Sequence, residues 1–123
     1  MTADIRDSAL RTIATERAGL DALHAALADG LGGPFADAIA MIRASSGRVI
    51  VSGMGKSGHV GRKLTATLAS TGTPAHFVHP AEASHGDLGM VQPEDVVIAL
   101  SWSGEAVALA ALVGYTRRFR VGL

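Results

Sequence analysis

No stretch restricts the fold of this chain more than Val49-Ile50-Val51-Ser52-Gly53-Met54-Gly55-Lys56-Ser57-Gly58-His59. A short β-branched run feeds directly into a loop holding three glycines, a lysine and a serine, and the spacing then turns helical through Arg62, Leu64 and Leu68. That order is a strand, a phosphate-cradling loop and the start of a helix.

The rest of the chain continues in the same rhythm. Arg48 to Ser52 reads as a first strand, and the helix from about Ser57 to Ser70 is closed by Gly72-Thr73-Pro74. Ala75 to Val78 is a short second strand, His79 to Met90 a polar loop, and Val96 to Leu100 an apolar third strand of the kind covered on both faces. Ser101-Trp102-Ser103-Gly104-Glu105 turns into a helix from Ala106 to about Tyr115, and Val121-Gly122-Leu123 begins a fourth strand. Upstream, Leu10, Ile13, Leu20, Leu23, Leu27 and Leu31 recur at helical spacing, so Ile5 to Leu31 is one long amphipathic helix. Gly30, Gly32, Gly33 and Pro34 end it, and a shorter helix follows through Phe35, Ile39 and Ile42.

Strands alternating with helices predict an α/β fold with an open parallel sheet, which binds ligands at the carboxyl ends of its strands. Both Gly/Ser loops lie at such ends. A sheet that stops as its fourth strand begins has an unpaired apolar edge, so the chain reads as a fragment of a longer protein.

Composition narrows the partners. With 123 residues, 48% of them apolar, there is one core and no room for two. The 11 basic and 11 acidic side chains cancel, which leaves no positive field to attract nucleic acid or acidic membranes. There is no cysteine, hence no disulfide and no thiolate chemistry, and no apolar run approaches the length of a membrane span. The expectation is a soluble cytoplasmic protein with a small molecule or other proteins as partners. The apolar stripe on the leading helix points to a neighbouring subunit.

Gly53-x-Gly55-x-x-Gly58 fits a dinucleotide fingerprint, but the acid expected at the end of the second strand is replaced by His79 and Pro80. Gly55-Lys56-Ser57 matches the tail of a nucleotide P-loop, whose first glycine would fall at Ile50. An ordinary tight strand-to-helix turn would use the same glycines. The second loop decides the balance: hydroxyls and amides of Ser101-x-Ser103-Gly104-Glu105 at a helix start suit a single phosphate. Two such loops on one sheet edge, one carrying Lys56, favour a small phosphorylated ligand. His79 and His85, with Glu82 and Asp87, suit zinc by residue type, and hydrogen bonding to a sugar or a carbonyl explains them equally. His59 and His76 read as packing or surface residues. Trp102, the only tryptophan, is either a lid over the ligand or a plug in its pocket.

Taken together, Ser52 to His59, Ser70-Thr-Gly-Thr-Pro74, Val78-His-Pro-Ala-Glu-Ala-Ser-His-Gly-Asp-Leu-Gly-Met90 and Ser101-x-Ser-Gly-Glu105 resemble the sugar isomerase (SIS) domain of bacterial arabinose 5-phosphate isomerases. The resemblance runs from Ile5 to the end. It implies a three-layer sandwich on a flavodoxin-like sheet, with one SIS domain over residues 1–123, made of N-terminal helices at 1–44 and an incomplete sugar-phosphate-binding part at 45–123. It implies a homotetramer that interconverts ribulose 5-phosphate and arabinose 5-phosphate, the entry to the Kdo sugar of lipopolysaccharide, through a cis-enediol and without metal or organic cofactor.

By the same resemblance Lys56 is the catalytic lysine, Gly72, Thr73 and His85 contact substrate, and Ser101 and Ser103 grip the phosphate. Ser52, Gly53, Ser57, Gly104 and Glu105 belong to the same substrate-binding motifs, and His79 matches a histidine at which inhibitory zinc binds. The chain departs from the pattern at three places. Trp102 replaces an asparagine, Ala106-Val107-Ala108 replaces two small polar residues and a catalytic glutamate, and the sequence ends before the later catalytic residues and the paired CBS modules of many relatives. The alternative to an isomerase is therefore a phosphosugar-binding SIS module without turnover, with dinucleotide binding a more distant third.

Overall fold

A computed structural model describes every residue from Met1 to Leu123, and the chain divides into two compact units, Met1–Ala40 and Met41–Leu123. The boundary falls inside the second helix, earlier than the division after residue 44 expected from the sequence.

The first unit is helical. Helix α1 spans Thr2–Ala28 and has no buried residue, and α2 spans Gly32–Ala44 and continues into the second unit. Gly30 lies in the turn after α1, but Gly32, Gly33 and Pro34 open α2 and do not simply end its predecessor. A proline is tolerated in a first turn because the N–H it lacks would have had no intrahelical partner. The apolar stripe anticipated on this segment is present and uncovered: Ile5, Leu10, Ile13, Leu20 and Leu23 are all exposed. No single helix is long and apolar enough to cross a membrane.

The second unit is built on a three-stranded parallel sheet of order β2-β1-β3, with β1 at Val49–Gly53, β2 at Ala75–Phe77 and β3 at Val96–Leu100. Every residue of β1 is buried, as a central parallel strand requires. Successive side chains point to opposite faces. Val51 faces helix α3 (Lys56–Ser70), while Ile50 joins Val78, Ala83, Val91, Val97, Leu109 and Leu112 on the other side. That second side is covered by α4 (Pro80–Ser84) and α5 (Ala110–Phe119), giving three layers. The expected fourth strand is present as one parallel bridge, Val96 to Gly122, with the Val97 amide donating to the Gly122 carbonyl at 2.8 Å.

Two sequence expectations change. The segment from His79 to Met90 is not an open loop, because it holds α4 and a 3-10 turn at Asp87–Met90. His79 caps α4 by accepting the Ala81 amide on its Nδ1, and Pro80 occupies the first turn with its φ already fixed. The helix expected from Ala106 begins at Ala110, because Ala106 is extended and Val107–Leu109 forms a 3-10 turn.

The amino ends of the strands are held by one buried carboxylate. Asp95 is 3% exposed, accepts the Arg48 amide at 2.7 Å and the Gln92 amide at 2.9 Å, and pairs with the Arg48 guanidinium at 3.1 Å. The same guanidinium donates to the Met90 carbonyl, so the end of the His79–Met90 segment is fixed to β1. Burial pushes the Asp95 pKa up, but the two amides and Arg48 together bring it below 3.8. With the folded pKa depressed, Asp95 stabilises the fold fully above pH 3.8, and that contribution is lost as pH falls through the folded value. Urea midpoints measured between pH 6 and 2.5 are expected to fall in that acid window, with a shallower fall in Asp95→Asn. Asp95→Ala, which leaves Arg48 and two amides unpaired, is expected to cost about 3 kcal/mol or more at pH 7.

Candidate active site

The first wall of the site is set by how closely α3 approaches β1. A Cβ on Gly58 would lie 2.6 Å from the Gly53 carbonyl oxygen, and one on Gly61 would meet Phe77 and Val51 at 3.1 and 3.2 Å. At Gly58 the obstacle is backbone, so only glycine admits this contact, and the fingerprint spacing here serves helix–strand packing. Gly55 makes the turn with φ 60° and ψ −127°, a combination that is open to glycine and strained for other residues. Lys56 is then the first residue of α3 and is exposed. The first turn of α3 contains no acid, so this cation stands at the end of the helix where the backbone dipole favours anions. An anionic ligand there would satisfy the lysine and the helix together.

The second wall follows from the sheet register. Gly53 pairs with Leu100, so the chain leaves β1 and β3 side by side and sets Met54–Ser57 next to Ser101–Glu105. Within the second loop the Ser101 Oγ accepts the Gly104 amide at 3.0 Å and the Ser103 Oγ accepts the Glu105 amide at 3.1 Å. Each hydroxyl oxygen is thereby oriented as an acceptor within the loop, and its proton remains available to donate to an anion. Gly104, with φ 73°, makes the bend that allows this. The expectation that this loop sits at a helix start needs correction, since the 3-10 turn separates it from α5 and the two hydroxyls supply the donors. The loops enclose a groove of about 320 Å³ lined by Met54, Ser57, Leu100, Ser101, Trp102 and Ser103, among others. A smaller one of about 220 Å³ adjoins it, bounded by Ser57, Val60, Leu100, Ser101 and Trp102.

Of the residues singled out by sequence, Gly53, Lys56, Ser57, Ser101, Ser103, Gly104 and Glu105 therefore fall on one sheet edge. Gly72 and Thr73 do not. They lie in the turn after α3, at the amino edge of the sheet, where Pro74 accepts the Val49 amide at 2.8 Å. Ser52 is fully buried, two residues along β1 from Ile50 and thus on the α4/α5 face, and its hydroxyl has no partner. His85 follows α4 and is exposed, and His79 has committed Nδ1 to capping. Nowhere do three or more His, Asp or Glu side chains come close enough to hold a metal ion. Met54, Leu100 and Leu109 line the groove without having been marked in the sequence, where the only sign was their position beside the motif residues. A larger trough of about 760 Å³ runs along Ala99, Val107, Leu109, Ala110, Val113 and Leu123, and is apolar except near Ser101, Glu105 and Arg117. Its lining suits packing better than phosphate binding.

Comparison with known families and structures then fixes the lineage. The model of the SIS domain matches residues 41–122, which is the whole α/β unit but its last residue. The chain belongs to the SIS-domain family. Arabinose 5-phosphate isomerase KdsD of Pseudomonas aeruginosa is 52% identical over 120 residues, covering 98% of this chain and 36% of that protein. KdsD of Escherichia coli K12 is 64% identical over 77 residues, covering 63% of this chain and 24% of that protein. The chain thus spans about a third or less of these relatives. Among solved structures, an E. coli CFT073 protein in complex with arabinose 5-phosphate superposes with a TM-score of 0.73 at 44% identity, over 83% of this chain and 54% of that one. A sugar-phosphate isomerase from Listeria monocytogenes gives 0.67 at 30% identity, over 70% of this chain and 45% of that one. The flavodoxin-like, three-layer SIS architecture expected from the sequence is the one observed.

Two substitutions test the local geometry of this SIS domain. Gly58→Ala forces a Cβ against a backbone carbonyl and is expected to lower stability by about 1–3 kcal/mol in urea titration. Ser52→Ala removes a buried hydroxyl without a partner and is expected to leave stability unchanged or raise it by up to about 1 kcal/mol. A clear loss in the second variant would mean that the hydroxyl is bonded in solution.

Proposed function

We propose that this SIS domain binds a phosphorylated pentose and belongs to an aldose-ketose isomerase that interconverts D-ribulose 5-phosphate and D-arabinose 5-phosphate. The observation that carries the reading is the juxtaposition of two hydroxyl donors, Ser101 and Ser103, with the Lys56 loop across adjacent strand ends. The names of the KdsD relatives and the arabinose 5-phosphate bound in the E. coli neighbour support the substrate class.

The chemistry moves a proton between neighbouring carbons. A base removes a C1 proton from the ketose and the C2 carbonyl becomes the O2 oxygen of a cis-enediolate; the O1 hydroxyl proton passes to O2, and return of the carbon-bound proton to C2 as the C1=O bond forms yields the aldose. Lys56 is the group placed to stabilise the oxygens as they gain negative charge, while Ser101 and Ser103 hold the phosphate and Ser57, Gly53 and Gly104 shape the loops around it. Glu105 flanks the phosphate loop. The reading needs no metal or organic cofactor. His85 would contact substrate, His79 would bind zinc by giving up its capping bond, since a ring that accepts on Nδ1 carries its proton on Nε2, and Gly72 and Thr73 would serve a site only from the opposite sheet edge. Ser52 would act from beneath the Gly53 loop. The remaining proposals follow the family: a cytoplasmic protein, a homotetramer using the exposed α1 stripe, and a product that feeds Kdo and lipopolysaccharide synthesis. A single SIS domain extending over residues 1–123 is the matching domain assignment.

A second reading, a binding module without turnover, is favoured by Ala108, which stands in the 3-10 turn where the family pattern has a carboxylate. Incubation of ribulose 5-phosphate in D2O separates the two. An isomerase incorporates deuterium at C1 or C2, and Lys56→Ala is expected to slow this by about 10²-fold or more. Binding without exchange, restored to exchange by Ala108→Glu, would establish the module reading and identify the lost base. Ser101→Ala and Ser103→Ala are each expected to weaken sugar-phosphate binding by about tenfold or more, as loss of a charge-assisted hydrogen bond requires.

A further inference from the structure

We propose that Trp102 is the sugar-recognising wall of the site, an indole face that stacks on the C–H surface of the phosphorylated sugar and makes the loop select a sugar phosphate over phosphate alone. This rests on the phosphosugar reading above and adds to it the residue that reads the sugar.

Trp102 is the sole tryptophan of the chain and is fully exposed, with a relative accessibility of 102%. An indole is the largest apolar side chain, and leaving it wholly in water forgoes the burial that such a residue normally supplies. Its place is not a random point on the surface. It lies between Ser101 and Ser103, and together with Ser57, Leu100 and Ser101 it lines both grooves at the carboxyl edge. Met54 from the other loop and Val60 from α3, 46% and 63% exposed, add apolar surface to the same two grooves. Each groove therefore sets serine hydroxyls among apolar side chains.

That combination of surfaces matches one kind of ligand. The bonds from the Gly104 and Glu105 amides fix the two hydroxyls on either side of residue 102. An anion held by both hydroxyls brings whatever is esterified to it alongside the indole. A sugar offers C–H groups to the aromatic face and hydroxyls to the indole N–H, whereas inorganic phosphate offers neither.

The single tryptophan makes the test direct. The protein is titrated with arabinose 5-phosphate and, separately, with inorganic phosphate, following both calorimetric heat and tryptophan emission. Arabinose 5-phosphate is expected to change the emission saturably, with the same midpoint as the heat, while inorganic phosphate competes and leaves emission nearly unchanged. Trp102→Ala is expected to weaken arabinose 5-phosphate by about tenfold with inorganic phosphate unaffected, and Trp102→Phe to recover most of the loss. Arabinose 5-phosphate binding with unchanged emission and unchanged affinity in Trp102→Ala would overturn this role and leave the phosphosugar function standing. Equal weakening of both ligands would also overturn it, since the residue would then only support the loop. No heat with either ligand would remove the function and this inference together.

Discussion

The contact of α3 with β1 is the constraint on which the α/β unit turns. Gly58 rests against the Gly53 carbonyl and Gly61 against Val51 and Phe77, with Arg62 stacked over the Phe77 ring at 4.2 Å. Because the helix lies this close to the strand, the connection between them needs only Met54 and Gly55, and Lys56 begins the helix directly above the sheet edge. A side chain at position 58 would move the helix and carry the lysine with it. The spacing that a sequence reader takes for a nucleotide fingerprint is, in this unit, a packing device whose by-product is a cation beside two serine hydroxyls.

The second determinant is the parallel register. Pairing of Gly53 with Leu100 delivers both loops to one place, and the Asp95–Arg48 clamp at the far end holds that register. The candidate site thus depends on a carboxylate at the other end of the strands. The site itself is assembled from small parts: a turn that glycine makes without strain, two hydroxyls oriented by their own loop, and an indole between them in sequence.

Much of this was legible in the sequence because it is local. The β-branched run at Val49–Val51, the helical spacing after Lys56 and the apolar Val96–Leu100 each carry their own period, and all three elements were found within a residue or so of where that period put them. The loop residues Lys56, Ser101 and Ser103 were recognisable from type and from their place after strands. What escaped depends on contacts between distant residues. The helix within His79–Met90 is held by His79 capping and by Ala83 in the core, neither of which has a periodic signature in so short a piece. Residue type could mark Gly72 and Thr73 as loop residues, but only the strand direction assigns them to the amino edge. Ser52 likewise looked like part of the phosphate loop, although it is still a strand residue with its side chain in the interior.

The 15 residues of α3 separate its two termini by about 22 Å. One end presents Lys56 and the other the Gly72-Thr73 turn, so the two lie well beyond the roughly 10 Å over which substitutions usually interact energetically. Changes at the two ends should therefore combine additively, and the turn can be remodelled by evolution or by design without retuning the loops at the carboxyl edge. The helix that fastens the lysine in place also insulates it.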